Sequence, residues 1–293
     1  MRHIKIAPLK IYGLLAFGLL LAAVQPQDVV AQEPASVDLP ILFDTRERIA
    51  RPDLSGIVRL RFLTTVDFPP FNFIDQTGKL AGFHVDLVRE ICRELALTEK
   101  CQIQAVTFPE LEKALIDGNG EAVAAGVAVT AELRKRFVFS RPFMRLPARF
   151  AVAKKTPPAG ATAAALDGKR VGVVAASAHE AMLKAFFPRV QAEAFADRAA
   201  LLASLKDGKV EAVFGDGMQL AFWTSGSESA GCCRLFDGPY LSERFLGEGL
   251  TIMFRKEDAT ITGAIDHALL ALSRSGRLQE IYLRYFPVNL YGG

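Results

Sequence analysis

The sequence is poor in the residues on which most catalytic and metal chemistry depends. Its 293 residues include four histidines, four cysteines and one tryptophan. No histidine and no second cysteine pair stands at ligand spacing from the cysteines, which argues against a metal site. No nucleophile–base pair or metal set marks a catalytic centre. An excess of one charge is lacking too. The formal net charge is +3, and no run of like charges is long enough to suggest nucleic acid. Beyond residue 31, Lys, Arg, Asp, Glu, Gly or Pro interrupts every apolar stretch, so no segment there can span a bilayer. A soluble mature chain is expected.

What is present begins with a distinctive N-terminus. Arg2, Lys5 and Lys10 precede a mostly apolar stretch, residues 11–24, and Val29-Val30-Ala31 offers small residues before Gln32. That layout is a secretory signal peptide over residues 1–31. The apolar stretch is short for a membrane span of about 20 residues. Cleavage removes three cations and Asp28, lowering the net charge to +1. Residues 32–56, with Pro34, Pro40 and Pro52 and little periodicity, read as an extended leader.

From Val58 onward, strand and helix patterns alternate. Val58, Leu60 and Phe62 point one way along a strand, and Val88, Ile91, Cys92 and Leu95 fall at helical spacing. A strand at 103–106, a helix at 110–116 and a strand at 122–127 follow. Such alternation argues for an α/β protein with parallel sheets and crossover helices. The segment Asp117-Gly118-Asn119-Gly120-Glu121-Ala122-Val123 is echoed by Asp207-Gly208-Lys209-Val210-Glu211-Ala212-Val213. Five of the seven positions are identical. In each copy a glycine closes a helix and an apolar run enters a sheet, which suggests two similarly wired lobes. The strand ends then correspond as Gly126 and Asp216, and ligands in open α/β sheets collect at such carboxyl ends. Lobe 1 is expected over residues 57–148 plus 249–293, and lobe 2 over 149–248. Strands at 170–174 and ending at 216, and helices near 179–187 and 200–206, build the second lobe. A strand at 250–254 and helices at 258–275 and 278–285 complete the first. The chain thus crosses between lobes twice, as a hinge requires.

Export would put all four cysteines in an oxidising compartment. Cys92 falls late on an expected helix and Cys101 opens the next strand, so a turn can bring them together. For the adjacent Cys232-Cys233, a vicinal bridge, two free thiols and an intermolecular bridge all remain open.

Three segments resemble the family 3 extracellular solute-binding proteins of amino-acid ABC transporters. The first is Phe68-Pro69-Pro70-Phe71-Asn72-Phe73 with Gly78 to Leu87. The second is Gly126-Val127-Ala128-Val129-Thr130-Ala131-Glu132, continuing to Phe139-Ser140-Arg141-Pro142-Phe143. The third is Arg255-Lys256-Glu257-Asp258 with the tail from Tyr285-Phe286 to Tyr291-Gly292-Gly293. The pattern is most like the histidine- and lysine/arginine/ornithine-binding proteins. This resemblance implies a two-lobed periplasmic-binding-protein-like (type II) fold with a ligand cleft between lobes. It also implies a periplasmic, monomeric binding protein that takes an amino acid or related amine, needs no cofactor and serves an inner-membrane ABC permease. Those relatives carry a disulfide where Cys92 and Cys101 stand, with two fewer residues between them.

The resemblance also implies a pocket. Phe68 and Phe108 match aromatics that sandwich the ligand's side chain. Gly126 matches a position whose backbone faces the ligand, and glycine permits close approach. Asp216 matches the carboxylate that holds the α-ammonium. Ser177 and His179, where a helix begins, match positions near the ligand carboxylate. Several positions depart from the family pattern. Leu133 stands where the family has its carboxylate-gripping arginine, and Arg134 follows about 100° around the helix. Ala128 replaces a Ser or Thr, Thr65 replaces an acidic residue of cationic amino-acid binders, and His84 lies beside the first motif's helix. Arg134, Arg145, Arg149 or the helix at His179 are candidate substitutes for the missing clamp. Alternatively the ligand is an amine without a matching carboxylate, held by Asp216 and stacked on phenylalanine. Two other functions fit the same fold. One is a dehydratase of cyclohexadienyl substrates such as prephenate or arogenate, with Asp216 or His179 as the acid. The other is an orphan sensor that works without a permease.

Overall fold

The computed structural model describes residues 39, 42, 44, 46–286, 290 and 291. The expected signal peptide lies outside the described residues, as does much of the leader. No described helix is long and apolar enough to cross a membrane.

The chain opens with β1 (Leu60–Thr64), followed by the short strands β2 (Asp67–Phe68), β3 (Asn72–Ile74) and β4 (Leu80–Ala81). Helix α1 (Phe83–Glu94) leads to β5 (Cys101–Ala105), α2 (Leu111–Ile116), β6 (Ala122–Val123), α3 (Ala131–Arg136) and β7 (Phe137–Phe139). The middle of the chain forms β8 (Ala148–Ala153), β9 (Arg170–Val174), α4 (Ala178–Phe186), β10 (Gln191–Phe195) and α5 (Arg198–Lys206). It continues through β11 (Ala212–Asp216), α6 (Gly217–Ser225), β12 (Cys233–Tyr240) and α7 (Glu243–Leu246). The return supplies β13 (Met253–Arg255), α8 (Ala259–Arg274) and α9 (Arg277–Tyr285).

These strands make two five-stranded sheets, ordered β5-β1-β6-β13-β7 and β10-β9-β11-β8-β12, with β2-β3-β4 as a small third sheet. The two orders are the same wiring, each with its first three strands parallel. The sheets are mixed, however, not parallel throughout. β13 runs antiparallel to β6 and β7, and β8 runs antiparallel to β11 and β12. These are the strands that cross into a sheet from the other half, so they enter from the opposite end.

The sequence echo is a structural one. Gly118 and Gly208 both take left-handed backbone, with φ of 71° and 72°. In one copy Asn119 N–H donates to Ala114 O at 2.9 Å; in the other Lys209 N–H donates to Ser204 O at 2.8 Å. Each turn thus satisfies carbonyls that the helix end leaves bare. Glu121 then accepts from Arg61 N–H at 2.6 Å, and Glu211 from Arg170 N–H at 2.9 Å. The shared Asp-Gly and Glu pin the same strand entry twice.

Leu60, Phe62 and Leu63 are fully buried, as befits a central parallel strand covered on both faces. Val58 is 86% exposed and precedes the strand, which corrects the expected start. The strand expected over 122–127 pairs only at Ala122 and Val123, because Gly126 turns into left-handed backbone at φ 73°. Helix α1 buries His84, Leu87, Val88 and Ile91 and turns Arg89 and Arg93 outward, while Asp86 accepts a hydrogen bond from Tyr285 Oη at 2.8 Å. Cys92 and Cys101 are joined across the following turn, and Cys232 and Cys233 form a vicinal disulfide.

The outgoing and returning crossings lie side by side. Leu250 N–H donates to Met144 O at 2.7 Å, and Phe143 N–H to Leu250 O at 3.0 Å. A Cβ on Gly249 would sit 2.5 Å from Met144 O, so the close approach requires glycine.

Candidate functional site

A cavity of about 670 Å³ is lined by both halves of the chain. Asp67, Phe68, Pro69 and Pro70 come from the β2 turn. Arg198 comes from α5, Gln219 and Trp223 from α6, and Glu228 from the segment beyond it. Phe68 ends β2 and stacks on the buried ring of Phe71, with centroids 4.7 Å apart. Its ring also covers Gly126: a Cβ there would meet Phe68 Cε1 at 2.7 Å.

Asp216 ends β11 and caps α6, accepting a hydrogen bond from Gln219 N–H at 2.8 Å. It is half-buried, and burial raises its carboxyl above the usual range. The N–H groups of Gln219 and Met218 and the charges of His179 and Arg198 pull the other way. His179 sits in the first turn of α4, its ring 6.3 Å from that of Phe214. Burial lowers its pKa, and the negative charge of Asp216 opposes that shift. Two residues chosen from sequence, Asp216 and His179, are therefore electrostatic neighbours.

Neither of them, nor Gly126, is among the residues that line the cavity, and the remaining candidates are placed differently again. The Ser177 hydroxyl is consumed locally: it donates to Val174 O at 2.6 Å and accepts from Glu180 N–H at 3.1 Å. Glu180 in turn accepts from Ala176 N–H at 2.7 Å, so the start of α4 already carries a carboxylate. Phe108 lies on a short turn before α2, is 52% exposed and does not line the cavity. Ala128 is exposed, whereas Thr65 is buried and its hydroxyl finds no partner among the described residues. Leu133 packs into the apolar cluster of Leu111, Val123 and Phe137.

Three arginines expected as substitutes for the clamp are engaged elsewhere. Arg134 donates Nε to Glu248 Oε1 at 3.2 Å and stands over the ring of Phe139. Arg145 pairs with Glu243. Arg149 is buried, with Nε donating to Asp237 O at 3.3 Å and Nη1 to Leu290 O at 3.4 Å. The sequence reading missed Arg198, although it follows Asp197, whose carboxylate caps α5. Its helix ends at the second Asp-Gly echo, and that repeat was the available signal. Among the described residues no group of three His, Cys, Asp or Glu side chains is placed to hold a metal.

Residues 60–288 match the family described as bacterial extracellular solute-binding proteins, family 3. The chain is 25% identical over 233 residues to the ABC transporter arginine-binding protein 1 of Escherichia coli K12, spanning 80% of this chain and 93% of that one. It is 27% identical over 236 residues to the lysine/arginine/ornithine-binding periplasmic protein of the same organism, covering 80% and 89%. In fold it is similar to the L-cystine solute receptor of Neisseria gonorrhoeae in its unliganded open conformation. That likeness has a TM-score of 0.69 at 16% identity, over 81% of this chain and 96% of that one.

Proposed function

The chain belongs to the bacterial extracellular solute-binding proteins of family 3, and from that premise we propose that it binds a cationic amino acid or related amine for delivery to an inner-membrane ABC permease. The charge around the cavity carries this reading. Asp67 and Glu228 line it, and Asp216 caps the helix that supplies Gln219 and Trp223. Arg198 is the single basic side chain on the wall among the described residues. Carboxylates in excess favour a positively charged guest, and Phe68 offers a ring face on which a cation or a planar side chain can lie. The similar proteins named for arginine and for lysine, arginine and ornithine point the same way.

In this reading residues 57–148 plus 249–293 form one lobe and residues 149–248 the other. Phe68 and Gly126 face the ligand from the first, and Asp216 with His179 from the second. Ligand contacts from both lobes exist only when they are closed, so binding shifts the population toward closure. Residues 1–31 direct export, and the chain works as a periplasmic monomer.

The test is a thermal-shift screen with L-arginine, L-lysine, L-ornithine and L-histidine beside agmatine, putrescine, L-glutamate and L-leucine. A cationic member present at about 100 times its Kd adds about 2.7 kcal/mol of stability and raises the melting temperature. A response confined to L-glutamate or L-leucine, or none at all, refutes the reading.

A further inference from the structure

A carboxylate-bearing ligand needs a cation, and the cavity has one to give. Arg198 lines it, is exposed, and makes no hydrogen bond or ion pair among the described residues. The neighbouring carboxylate is spoken for, since Asp197 accepts from Ala200 N–H at 2.8 Å. Helix stability does not account for an arginine at this position. A cation in the first turn opposes the helix dipole. Arg134, Arg145 and Arg149 are held by Glu248, by Glu243, and by Asp237 O and Leu290 O. Leu133 turns into the apolar core.

We infer that Arg198 is a specificity-determining residue that takes the carboxylate of the ligand, so that the cavity selects amino acids with a cationic side chain over the corresponding amines. The inference rests on the solute-binding reading above and deepens it. A planar guanidinium can grip a carboxylate through two parallel hydrogen bonds, a geometry that an amine ligand leaves unused. The surrounding Asp67 and Glu228 suit the positive end of the same molecule. Arg198 opens α5, and Asp216 ends the next strand of the same sheet, β11. Asp216 does not itself line the cavity but caps the helix whose Met218 and Gln219 do, and the β2 turn contributes Phe68, Pro69 and Pro70 as a largely apolar cover. Burial raises the Asp216 carboxyl and the charge of Arg198 opposes part of that rise, so the two groups are within electrostatic reach.

The experiment uses matched pairs that differ by one carboxylate: L-arginine and agmatine, L-lysine and cadaverine, L-ornithine and putrescine, L-histidine and histamine. Calorimetric affinities are measured for the mature chain and for the Arg198→Ala, Arg198→Lys and Asp216→Asn variants. The mature chain binds the amino acid of at least one pair about tenfold or more tighter than its amine, the scale of a charge-assisted contact. Arg198→Ala brings the two within about threefold by weakening the amino acid alone, and Arg198→Lys keeps part of the preference. Asp216→Asn weakens both members. Unliganded melting temperatures stay close to that of the parent, because Arg198 is an exposed residue with no partner to lose. A tenfold preference that survives Arg198→Ala overturns the assignment of Arg198 and leaves the solute-binding reading intact. An amine bound as tightly as its amino acid by the mature chain does the same. If no pair binds, the cationic-ligand reading falls and takes this inference with it.

Discussion

The ring of Phe68 lies directly on the backbone of Gly126, so close that a single added carbon would stand 2.7 Å from Phe68 Cε1. The aromatic side of the cavity and the segment that follows β6 are therefore in direct contact. The φ of 73° at Gly126 adds a conformational demand to this steric one. Gly126→Ala is expected to displace Phe68 and cost about 1–2 kcal/mol from left-handed backbone. Trp223, the only tryptophan in the chain, lines the same cavity and supplies the readout. Ligand titrations followed by its fluorescence should show affinity reduced about tenfold in Gly126→Ala, with a lowered melting temperature. Parent-like values of both would mean that the contact is dispensable.

Asp216 has two roles that a conservative substitution can separate. As the cap of α6 it accepts from Gln219 N–H, and asparagine serves as well in that place. As a half-buried carboxylate facing a cation it has no neutral equivalent. Asp216→Asn should keep the melting temperature of the unliganded chain within a few degrees while weakening binding of a cationic ligand by about tenfold or more. Calorimetry on the ligand found by the thermal screen checks this. Unchanged affinity would remove Asp216 from the site.

Local signals made much of this fold legible. The Asp-Gly echo announced two matching helix ends, and strand 170–174 and the helix near 259–274 follow directly from their apolar patterns. What escaped was set by distant partners. Strand β12 carries Asp237, Gly238 and Pro239 and pairs with β8 through a register irregularity, so its sequence reads as a loop. Within the site, Phe68 and Asp216 stood out because a motif and an acidic strand end are visible along the chain. Arg198 did not, because its meaning comes from the cavity it faces. Phe108 illustrates the converse. A phenylalanine in the expected order sits on an exposed turn capped by Thr107 and Glu110, where local hydrogen bonding fixes its place.

The Cys92–Cys101 bridge closes a short loop of sequence separation nine. Chain-entropy arithmetic gives about 2–3 kcal/mol for such a loop. Urea denaturation of a Cys92→Ser, Cys101→Ser double variant should show a loss of that size. The vicinal pair Cys232–Cys233 encloses no loop, so its removal acts mainly through lost packing around the buried Cys233. Equal losses from the two double variants would contradict the loop argument.

Acid stability should depend on His84. Its Nδ1 is 2.9 Å from Asn72 Oδ1, and the rings of Phe68, Phe71, Phe83 and Phe143 pack around it, with burial and no charge among the described residues shifting its titration. Burial pushes its pKa down to about 3 from the ordinary 6.5. The hydrogen bond to a carbonyl-type oxygen places the proton on Nδ1 of a neutral ring, and Nε2 has no partner among the described residues. Between these two pKa values the unfolded chain takes up a proton that the folded chain refuses. The stabilising effect of a neutral His84 is therefore complete above about pH 6.5 and is lost progressively as pH falls toward 3. At most this amounts to about 1.4 kcal/mol per pH unit, or about 2 kcal/mol between pH 7 and pH 5. His84→Gln keeps a hydrogen-bonding group beside Asn72 and cannot titrate. The variant should be less stable than the parent at pH 7, and the gap should narrow by about 2 kcal/mol at pH 5 when both are unfolded in urea. Carboxylates titrating at lower pH act on both chains alike, so the difference isolates the imidazole. Parallel stability curves for the two chains would show that His84 accepts a proton in place, with the apolar cage opening to admit water.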